Sequence, residues 1–516
     1  MKKILSSILV TCLLLSGCTV KTTEDEILFE SRFETENVIT LSNDKIIFNG
    51  DEVGGEGDVF LSNDIIYYEE KQAYESGNPY GEGTQKDMHS KEEADKHTVL
   101  NITKSGAYRI KGTLDAGQIR IDLVEDAKKD PNAVVELILD NADITCTVAP
   151  AILFMNVYEC DENWMVENAK STIDTSKAGA VLVLADNSKN IVNGSYVEKI
   201  FEDNGEEKKL WKQDGAIYSY MSMNVFGSGA LDLYASNEGL DTELHLTING
   251  GDINIYSGND GINTNEDGVS VTTINGGNIN IYAGLGEEGD GIDSNGWLVI
   301  NGGNVFSSAN PKADAGLDSD LGSFINGGTV VAVGSTMDWP ESDSNQVTVN
   351  LQFANSQNFE SEIVIKDADD KTVFEKNISH NELTKDKIRD FRGAVISSAN
   401  LAVGEEYTVY VNGVRQGYTG TDFKGRPGQF GGMKPEDMPD FPEGERPTPP
   451  NMRIHDGERS PMRGGEHQKQ FGDMKDFSKE ERPPMDFENM QDNAEQKEKF
   501  PMTDKVNRFS GVSEFK

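Results

Sequence analysis

The sequence predicts an all-β protein organised around a parallel β-helix, and three observations support this fold class. From Thr98 onward the chain consists of short β-type runs separated by Gly, Asn and Asp, without a helical period of useful length. Hydrophobic residues make up 36% of the 516 residues, which together with 52 glycines is typical of a chain that folds. The middle of the chain also repeats itself, which is the signature of a stacked architecture.

The repeat has one unit per 25 or 26 residues. TINGGDINIYSG begins at Thr247, TINGGNINIYAG at Thr273, INGGNVFSS at Ile300 and INGGTVVAV at Ile325. A period of this size is about what one coil of a parallel β-helix consumes. The sequence therefore predicts that equivalent residues of successive units stack on one another.

Strand alternation assigns a direction to each position of the repeat. We expect one apolar column at Ile248, Ile274, Ile300 and Ile325, and a second at Ile253/Ile255, Ile279/Ile281 and Val305. An asparagine precedes each glycine pair, at positions 249, 275, 301 and 326. An amide side chain bonds to its equivalent above and below, so these residues predict an asparagine ladder.

A second motif interleaves with the first: EGLDTE, DGINTN, DGIDSN and AGLDSD, beginning at residues 238, 260, 290 and 315. Its apolar positions Leu240, Ile262, Ile292 and Leu317 are expected to point inward, which directs the following polar residues outward. The predicted polar columns are Asp241, Asn263, Asp293 and Asp318; Glu243, Asn265, Asn295 and Asp320; and, at the preceding turn, Glu238, Asp260 and Asp290.

These columns predict bound calcium. Neighbouring strands lie about 4.8 Å apart, and two carboxylates about 5 Å apart repel by roughly 3 kcal/mol at an effective dielectric constant near 20. Calcium accepts carboxylate, amide and carbonyl oxygens in flexible geometry, whereas magnesium prefers to keep its waters. A solvated acidic face without a metal is the alternative.

The motifs together resemble a family. Residues from about Val99 to Gly334 are similar to secreted bacterial carbohydrate-binding β-helix proteins related in fold to polysaccharide lyases, through ITKSGAYRIKGTL, DNADI, QDGAIYS and the repeated INGG and DGI units. The resemblance implies a right-handed, pectate-lyase-like β-helix, bound calcium, and affinity for acidic plant polysaccharide such as polygalacturonate, with cellulose as another ligand.

The charge distribution bears on this implication. The formal charge is −42, which excludes a nucleic-acid partner because phosphate binding needs basic patches. Between Asp214 and Asn345 there are 19 Asp and Glu residues, and Lys312 is the single Lys or Arg. An acidic protein holds a polyuronate only if a cation bridges the two sets of carboxylates.

Aromatic residues offer a second mode of sugar contact. Tyr256 and Tyr282 occupy the same outward position 26 residues apart, and Trp297 lies in the next unit. They are candidates for stacking on neutral sugar rings, with a packing ladder of the two tyrosines as the alternative.

Two other functions stay open. One is a calcium-dependent pectate lyase in which Lys312 removes the proton beside the uronate carboxylate, although no arginine nearby in sequence would clamp that carboxylate. The other is a structural or adhesive surface rod. Binding without catalysis is the favoured interpretation.

The ends of the chain predict its location. Lys2 and Lys3 precede an apolar stretch that ends at LSGC, which resembles a bacterial lipobox and implies cleavage before Cys18 and lipidation of its thiol; an uncleaved anchor is the alternative. We expect a monomer, anchored to a membrane and facing outward. The predicted segments are a signal peptide (1–17), an acidic segment (18–97), the β-helix (98–345), a small β domain or cap (346–421) and a disordered tail (422–516).

Overall fold

Strands form nearly all the regular structure of the part of the chain that the computed structural model describes, namely residues 27–68, 79–82, 88–203, 207–416 and 418–419. The helical elements within these ranges are α1 (Lys91–Ala94) and a 3-10 turn (Glu125–Lys129). No described helix has the length and apolar character that crossing a bilayer requires. The predicted lipidation at Cys18 and the predicted disordered tail lie outside these residues. The all-β prediction is confirmed.

The strands are short, as expected from the frequent Gly, Asn and Asp residues. Before and up to the start of the repeats they are β1 (Glu36–Leu41), β2 (Ile47–Phe48), β3 (Asp51–Glu52), β4 (Val59–Ser62), β5 (Pro79–Glu82), β6 (Thr98–Ile102), β7 (Gly106–Leu114), β8 (Gly117–Asp122), β9 (Val135–Cys146), β10 (Ile152–Asn156), β11 (Ala180–Leu184), β12 (Lys189–Gly194), β13 (Val197–Asp203) and β14 (Glu207–Gln213).

The repeats and the C-terminal part contain β15 (Gly215–Ser219), β16 (Met223–Gly227), β17 (Ala230–Ala235), β18 (Glu238–Thr242), β19 (Leu246–Ile248), β20 (Asp252–Ser257), β21 (Ile262–Thr264), β22 (Val271–Ile274), β23 (Asn278–Tyr282), β24 (Ile292–Ser294), β25 (Trp297–Ile300), β26 (Asn304–Ser308), β27 (Gly322–Ile325), β28 (Thr329–Gly334), β29 (Thr348–Gln357), β30 (Ser361–Lys366), β31 (Thr372–Ile378), β32 (Phe391–Ser397), β33 (Thr408–Val411), β34 (Val414–Arg415) and β35 (Tyr418–Thr419).

Three stacks of parallel strands run through the central segment. The first contains β6, β8, β10, β15, β18, β21 and β24. The second contains β7, β9, β11, β16, β19, β22, β25 and β27. The third contains β9, β12, β17, β20, β23, β26 and β28. Each repeat of the chain thus adds one layer, in which every strand pairs with its equivalent in the layer before.

The core lies between the stacks and includes the predicted apolar columns. Ile248, Ile274, Ile300 and Ile325 are fully buried, and the second column is at most 2% exposed. Register places Ile253 beside Ile279, and Ile279 beside Val305. Each buried side chain of this size contributes about 1.5–3 kcal/mol relative to an exposed one, so the columns hold the layers together.

The predicted asparagine ladder is present at the turn after the second stack. The amide of Asn275 donates to the Oδ1 of Asn249 (2.8 Å), Asn301 donates to Asn275 (2.9 Å), and Asn326 donates to Asn301 (2.9 Å). The second glycine of each pair follows in the left-handed region; for Gly277 φ is 96°. A Cβ there would also lie 2.9 Å from the carbonyl oxygen of Gly251, which explains the glycine.

A long excursion between β10 and β11, residues 158–179, which we call the strap, lies along several layers. The carboxylate of Glu159 accepts from the backbone and hydroxyl of Ser222, and Asp161 lies 3.4 Å from His245. Farther along, the carbonyl of Ala169 accepts from the indole of Trp297, before the strap returns to the layer of β16. Cys160, in the strap, and Cys146, on β9, are both free thiols.

Strands outside the repeats extend the stacks at both ends. At the N-terminal side β1 pairs in parallel with β7, and β4 pairs antiparallel with β6. At the C-terminal side β32 pairs antiparallel with both β28 and β29, while β31, β30, β33 and β34 form a separate four-stranded sheet. A second apolar core, which includes Phe353, Phe359 and Phe391, lies in this C-terminal part.

Candidate cation and carbohydrate site

The second sequence motif forms the end of the first stack. Register pairs Leu240 with Ile262 and Ile262 with Ile292, and an isolated bridge joins Ile292 to Leu317. All four side chains are at most 1% exposed. The motif therefore stacks as predicted, with its apolar position in the core.

The first polar column follows from this register. Asp241 lies beside Asn263, and Asn263 beside Asp293, while the backbone N–H of Asp318 donates to the carbonyl of Ile292 in the adjoining layer. Two members are nevertheless removed from solvent, because Asp241 is 0% and Asn263 is 4% exposed. Side chains of the flanking columns contact and cover them.

The second column supplies part of that cover. Asn265 donates to the Oδ1 of Asp241 (2.7 Å) and accepts from the amide of Asn263 (3.1 Å). The amide of Asn295 donates to the carbonyl of Asn265 (2.7 Å). At the two ends, Glu243 accepts from the hydroxyl of Tyr218, and Asp320 is exposed.

The turn column lies on the other side. The Oδ1 of Asp260 accepts from the backbone N–H of Asp290 (2.7 Å), and the Oδ1 of Asp290 accepts in the same way from Ala315 (2.5 Å). Glu238 is 3% and Asp260 is 8% exposed. These carboxylates thus brace consecutive turns while they are themselves removed from water.

Three charged residues near the columns were not among the predicted site residues. Asp214 is buried in the layer before Glu238, and its carbonyl accepts from the backbone N–H of Glu238. The Nζ of Lys212 lies 2.6 Å from the Oδ2 of Asp214. Asp338 interacts with Asp318. QDGAIYS contained a signal for Asp214, which precedes a glycine as Asp260 and Asp290 do.

Burial raises the pKa of most of these carboxyl groups, and neighbouring carboxylates raise it further. The pKa values of Asp241 and Asp260 lie well above the usual range of the side chain. The same causes raise the pKa of a further set, to about 7 for Asp214 and Asp290, about 8 for Asp293 and about 6 for Asp318. The ionised columns are unfavourable unless a proton or a cation compensates them.

Several oxygens of the site have no hydrogen-bond partner within the described residues. They are the Oδ1 of Asp214, the Oε2 of Glu238, the Oδ2 of Asp241 and the Oδ1 of Asn263. A buried unsatisfied polar group costs about 1–3 kcal/mol, and more when it is charged. All four belong to adjoining positions of neighbouring layers, so the unfavourable energy is concentrated in one place.

The oxygens differ from a preformed metal site in their arrangement. Among residues that the structure describes, no three His, Cys, Asp or Glu side chains have metal-ligand geometry. The donor chemistry nevertheless fits a hard cation, because carboxylate and amide oxygens are its preferred ligands and these ones are unpartnered.

The predicted sugar-contacting aromatic residues lie on two different stacks. Tyr256 and Tyr282 stack with ring centroids 5.4 Å apart, and Tyr234 continues the same stack. Asn381 of the C-terminal part donates to the hydroxyl of Tyr256 (3.2 Å), and both tyrosines are partly buried. Trp297 lies on the second stack, half-buried between the strap and Phe324.

Lys312, the candidate base of a lyase, is on an exposed turn after β26. Its Nζ donates to the carbonyl of Glu287 (3.1 Å), on the turn that leads to Asp290. The buried guanidinium of Arg389, in the C-terminal part, donates to the carbonyls of Ser308 and Ala309. The structure thus brings together the acidic columns, while Lys312 and the tyrosines stand apart from Asp241 in separate strands and turns.

Comparison with known proteins adds one family and one structure. The structure is that of the polysaccharide lyase-like protein from C. thermocellum, as a gadolinium derivative; it is 23% identical, the match covers 57% of this chain and 93% of that chain, and the TM-score is 0.34. The search of curated proteins gave no match. The sequence model of the family described as "Carbohydrate-binding domain-containing protein" matches residues 96–170 and 161–346. The chain is therefore similar to carbohydrate-binding domain-containing proteins over the segment that carries the acidic columns.

Proposed function

We propose that this chain is a carbohydrate-binding protein that holds acidic polysaccharide, such as polygalacturonate, through calcium on the layers of a right-handed parallel β-helix. The family match over residues 96–346 supports a carbohydrate ligand. Parallel pairing in all three stacks at one layer per repeat supports the β-helix.

The observation that carries the proposal is the group of unpartnered buried oxygens on Asp214, Glu238, Asp241 and Asn263. Burying ionised carboxylates in neighbouring layers is unfavourable in free energy, and a cation offsets this free energy more completely than amide donors do. Asn265 satisfies one oxygen of Asp241 and leaves the other without a donor. The site thus has the residual negative charge that a divalent ion would neutralise.

These side chains would hold the ion, together with Asp260 and Asp293. Calcium, when bound, supplies positive charge and open coordination positions for sugar oxygens. The chain's own contribution is to fix the ligands on stacked strands, where the register keeps them one layer apart.

The surroundings determine how an anionic ligand would have to bind. With 19 acidic residues and Lys312 alone as Lys or Arg between Asp214 and Asn345, direct contact with uronate groups would be repulsive. Calcium held there would neutralise this charge and offer open coordination positions to uronate oxygens, so metal and sugar should bind interdependently. The half-buried Tyr256, Tyr282 and Trp297 are secondary candidates for contact with neutral sugar faces. Cellulose is a second candidate ligand.

The location is part of the proposal. The lipobox-like LSGC would attach the mature chain through Cys18 to a membrane, with the stacked segment facing outward as a monomer. A site on the outer face of a cell meets both calcium and extracellular polysaccharide.

A pull-down with polygalacturonate tests the proposal. The purified chain should be retained in calcium and released by a chelator, and Asp293→Ala should reduce retention and calcium content while Asp44→Ala, on an exposed loop, leaves both unchanged. Equal retention with and without chelator would contradict the proposal.

The same incubation separates binding from cleavage. Absorbance of unsaturated product is followed near neutral and alkaline pH, and retention without product is the expected result. Steady product that disappears in Lys312→Ala would instead identify a lyase. Absence of both retention and product would favour a structural rod.

A further inference from the structure

Lys212 stands against the buried carboxylates at the start of the acidic columns. Its Nζ lies 2.6 Å from the Oδ2 of Asp214, with side chains 35% and 7% exposed. The amine therefore enters the group from its solvent side, while the carboxylate that it contacts is almost completely desolvated.

The contact uses only half of the carboxylate. The Oδ2 of Asp214 accepts from Lys212, and the Oδ1 has no partner among the described residues. The free oxygens of Glu238 and Asp241 belong to the same group. An ion that binds these three oxygens need not displace the amine.

Lys212 lowers the net negative charge of this group. Asp214, Glu238 and Asp241 together carry three negative charges when ionised, and Lys212 reduces the sum to two. The Nζ of Lys212 lies within ion-pair distance of the Oδ2 of Asp214, which places its positive charge at the edge of the group. Asp260 and Asp293 add further negative charge, so Lys212 lowers the total without neutralising it.

We infer that Lys212 is a fixed counter-charge that stays on Asp214 and favours divalent over trivalent ions at the cation site. This inference rests on the proposed function. A resident positive charge repels an incoming ion in proportion to the charge of that ion, so it disfavours a trivalent ion more than a divalent one. Lys212 also keeps the affinity for calcium below the value that the bare carboxylates would give.

The test compares the affinities of Ca²⁺ and La³⁺ by titration calorimetry of the full chain. In Lys212→Met both affinities should rise, and the ratio of the La³⁺ to the Ca²⁺ affinity should increase by on the order of tenfold. Lys212→Arg keeps the positive charge and should keep the ratio. Lys189→Met, which removes an exposed lysine on the third stack, controls for the change in net charge.

A second variant changes the charge in the opposite direction and covers the case in which Lys212→Met fails to fold. Asp214→Asn retains the lysine but removes one negative charge, so the La³⁺ affinity should fall more than the Ca²⁺ affinity and the ratio should drop below that of the unmodified chain. An unchanged ratio in this variant would overturn the inference.

The remaining outcomes distinguish the two proposals. An equal rise of both affinities in Lys212→Met would mean that the ions displace the amine, which overturns the inference but leaves calcium binding intact. No change in either affinity would show that Lys212 is remote from the bound ion. If neither ion binds the unmodified chain, the inference and the proposed function fail together.

Discussion

The asparagine ladder and the acidic columns are built on the same principle and have opposite energetics. Both place equivalent side chains one layer apart. In the ladder each amide donates to the next, as Asn275 does to Asn249 and Asn301 does to Asn275. In the columns, Asp241 and Glu238 keep oxygens that have no partner in the part of the chain that the structure describes, and burial raises the pKa of Asp241.

The difference follows from hydrogen-bond chemistry. An amide carries a donor and an acceptor, so a file of amides satisfies itself, whereas a file of carboxylates offers only acceptors. The ladder therefore stabilises the fold in isolation. The columns depend on something from outside the chain, and four changes would test that contrast.

The largest expected effect is that of Asp241→Asn, which replaces an acceptor-only group by an amide of the same shape. Calcium affinity should fall by roughly a hundredfold, since one charge beside the ion is lost. The metal-free protein should become more stable by about 1 kcal/mol, because a buried charge disappears. Calorimetry measures the affinity and thermal melting the stability, with Asp44→Asn as the exposed control. If affinity and stability both fell, the contrast between the ladder and the columns would be wrong.

The next effect concerns space rather than charge. A Cβ on Gly215 would lie 2.5 Å from the Cβ of Asp241, so Gly215→Ala should displace that side chain. We expect a loss of about 1–3 kcal/mol of stability together with weaker calcium binding. Gly54→Ala is the matched control, because nothing lies within 4 Å of its Cβ. Denaturant unfolding of both variants decides the matter, and equal midpoints would contradict the packing argument.

The ladder should respond differently. Asn275→Ala removes two side-chain hydrogen bonds and should cost about 2 kcal/mol of stability, without any change in calcium affinity. Asn278→Ala, which removes one exposed bond to Asp252, should cost less. A calcium affinity that fell in Asn275→Ala would show that the two files are coupled.

The fourth test is the pH dependence of the metal-free protein. Burial raises the pKa of Asp290 to about 7 and of Asp293 to about 8, against an ordinary value of 3.8. Their contribution to stability is complete below the unfolded value and is lost as pH rises through these folded values. The melting temperature should therefore fall as the pH rises from 3.8 to about 8, and it should fall less steeply in Asp293→Asn. A melting temperature that rose over that interval by the same amount in both proteins would contradict the burial of these groups.

Much of this arrangement was predictable because the repeat encodes it. The period placed Ile253 beside Ile279 and predicted the ladder at Asn275, and the spacing of DGI units aligned Asp241, Asn263 and Asp293. Strand alternation and a constant layer height are sufficient for such inferences.

The burial of the columns was not predictable in the same way. Alternation alone directs Asp241 outward, but it does not reveal that Asn265 covers it or that Lys212 approaches from β14, a strand without an equivalent in the repeat units. Likewise the contacts of Trp297 with the strap and of Tyr256 with Asn381 join residues 128 and 125 positions apart. No period encodes such contacts.

The strap changes how the stack can come apart. Layers that touch only their neighbours can fray one at a time from an exposed end. Residues 158–179 instead join the layers of Ser222, His245 and Trp297 by side-chain and backbone hydrogen bonds. Opening any one of these layers strains the strap that joins it to the others, so the segment that carries Asp241 should unfold in a single cooperative step. A pulling force on the chain should meet one unfolding barrier there instead of several successive ones.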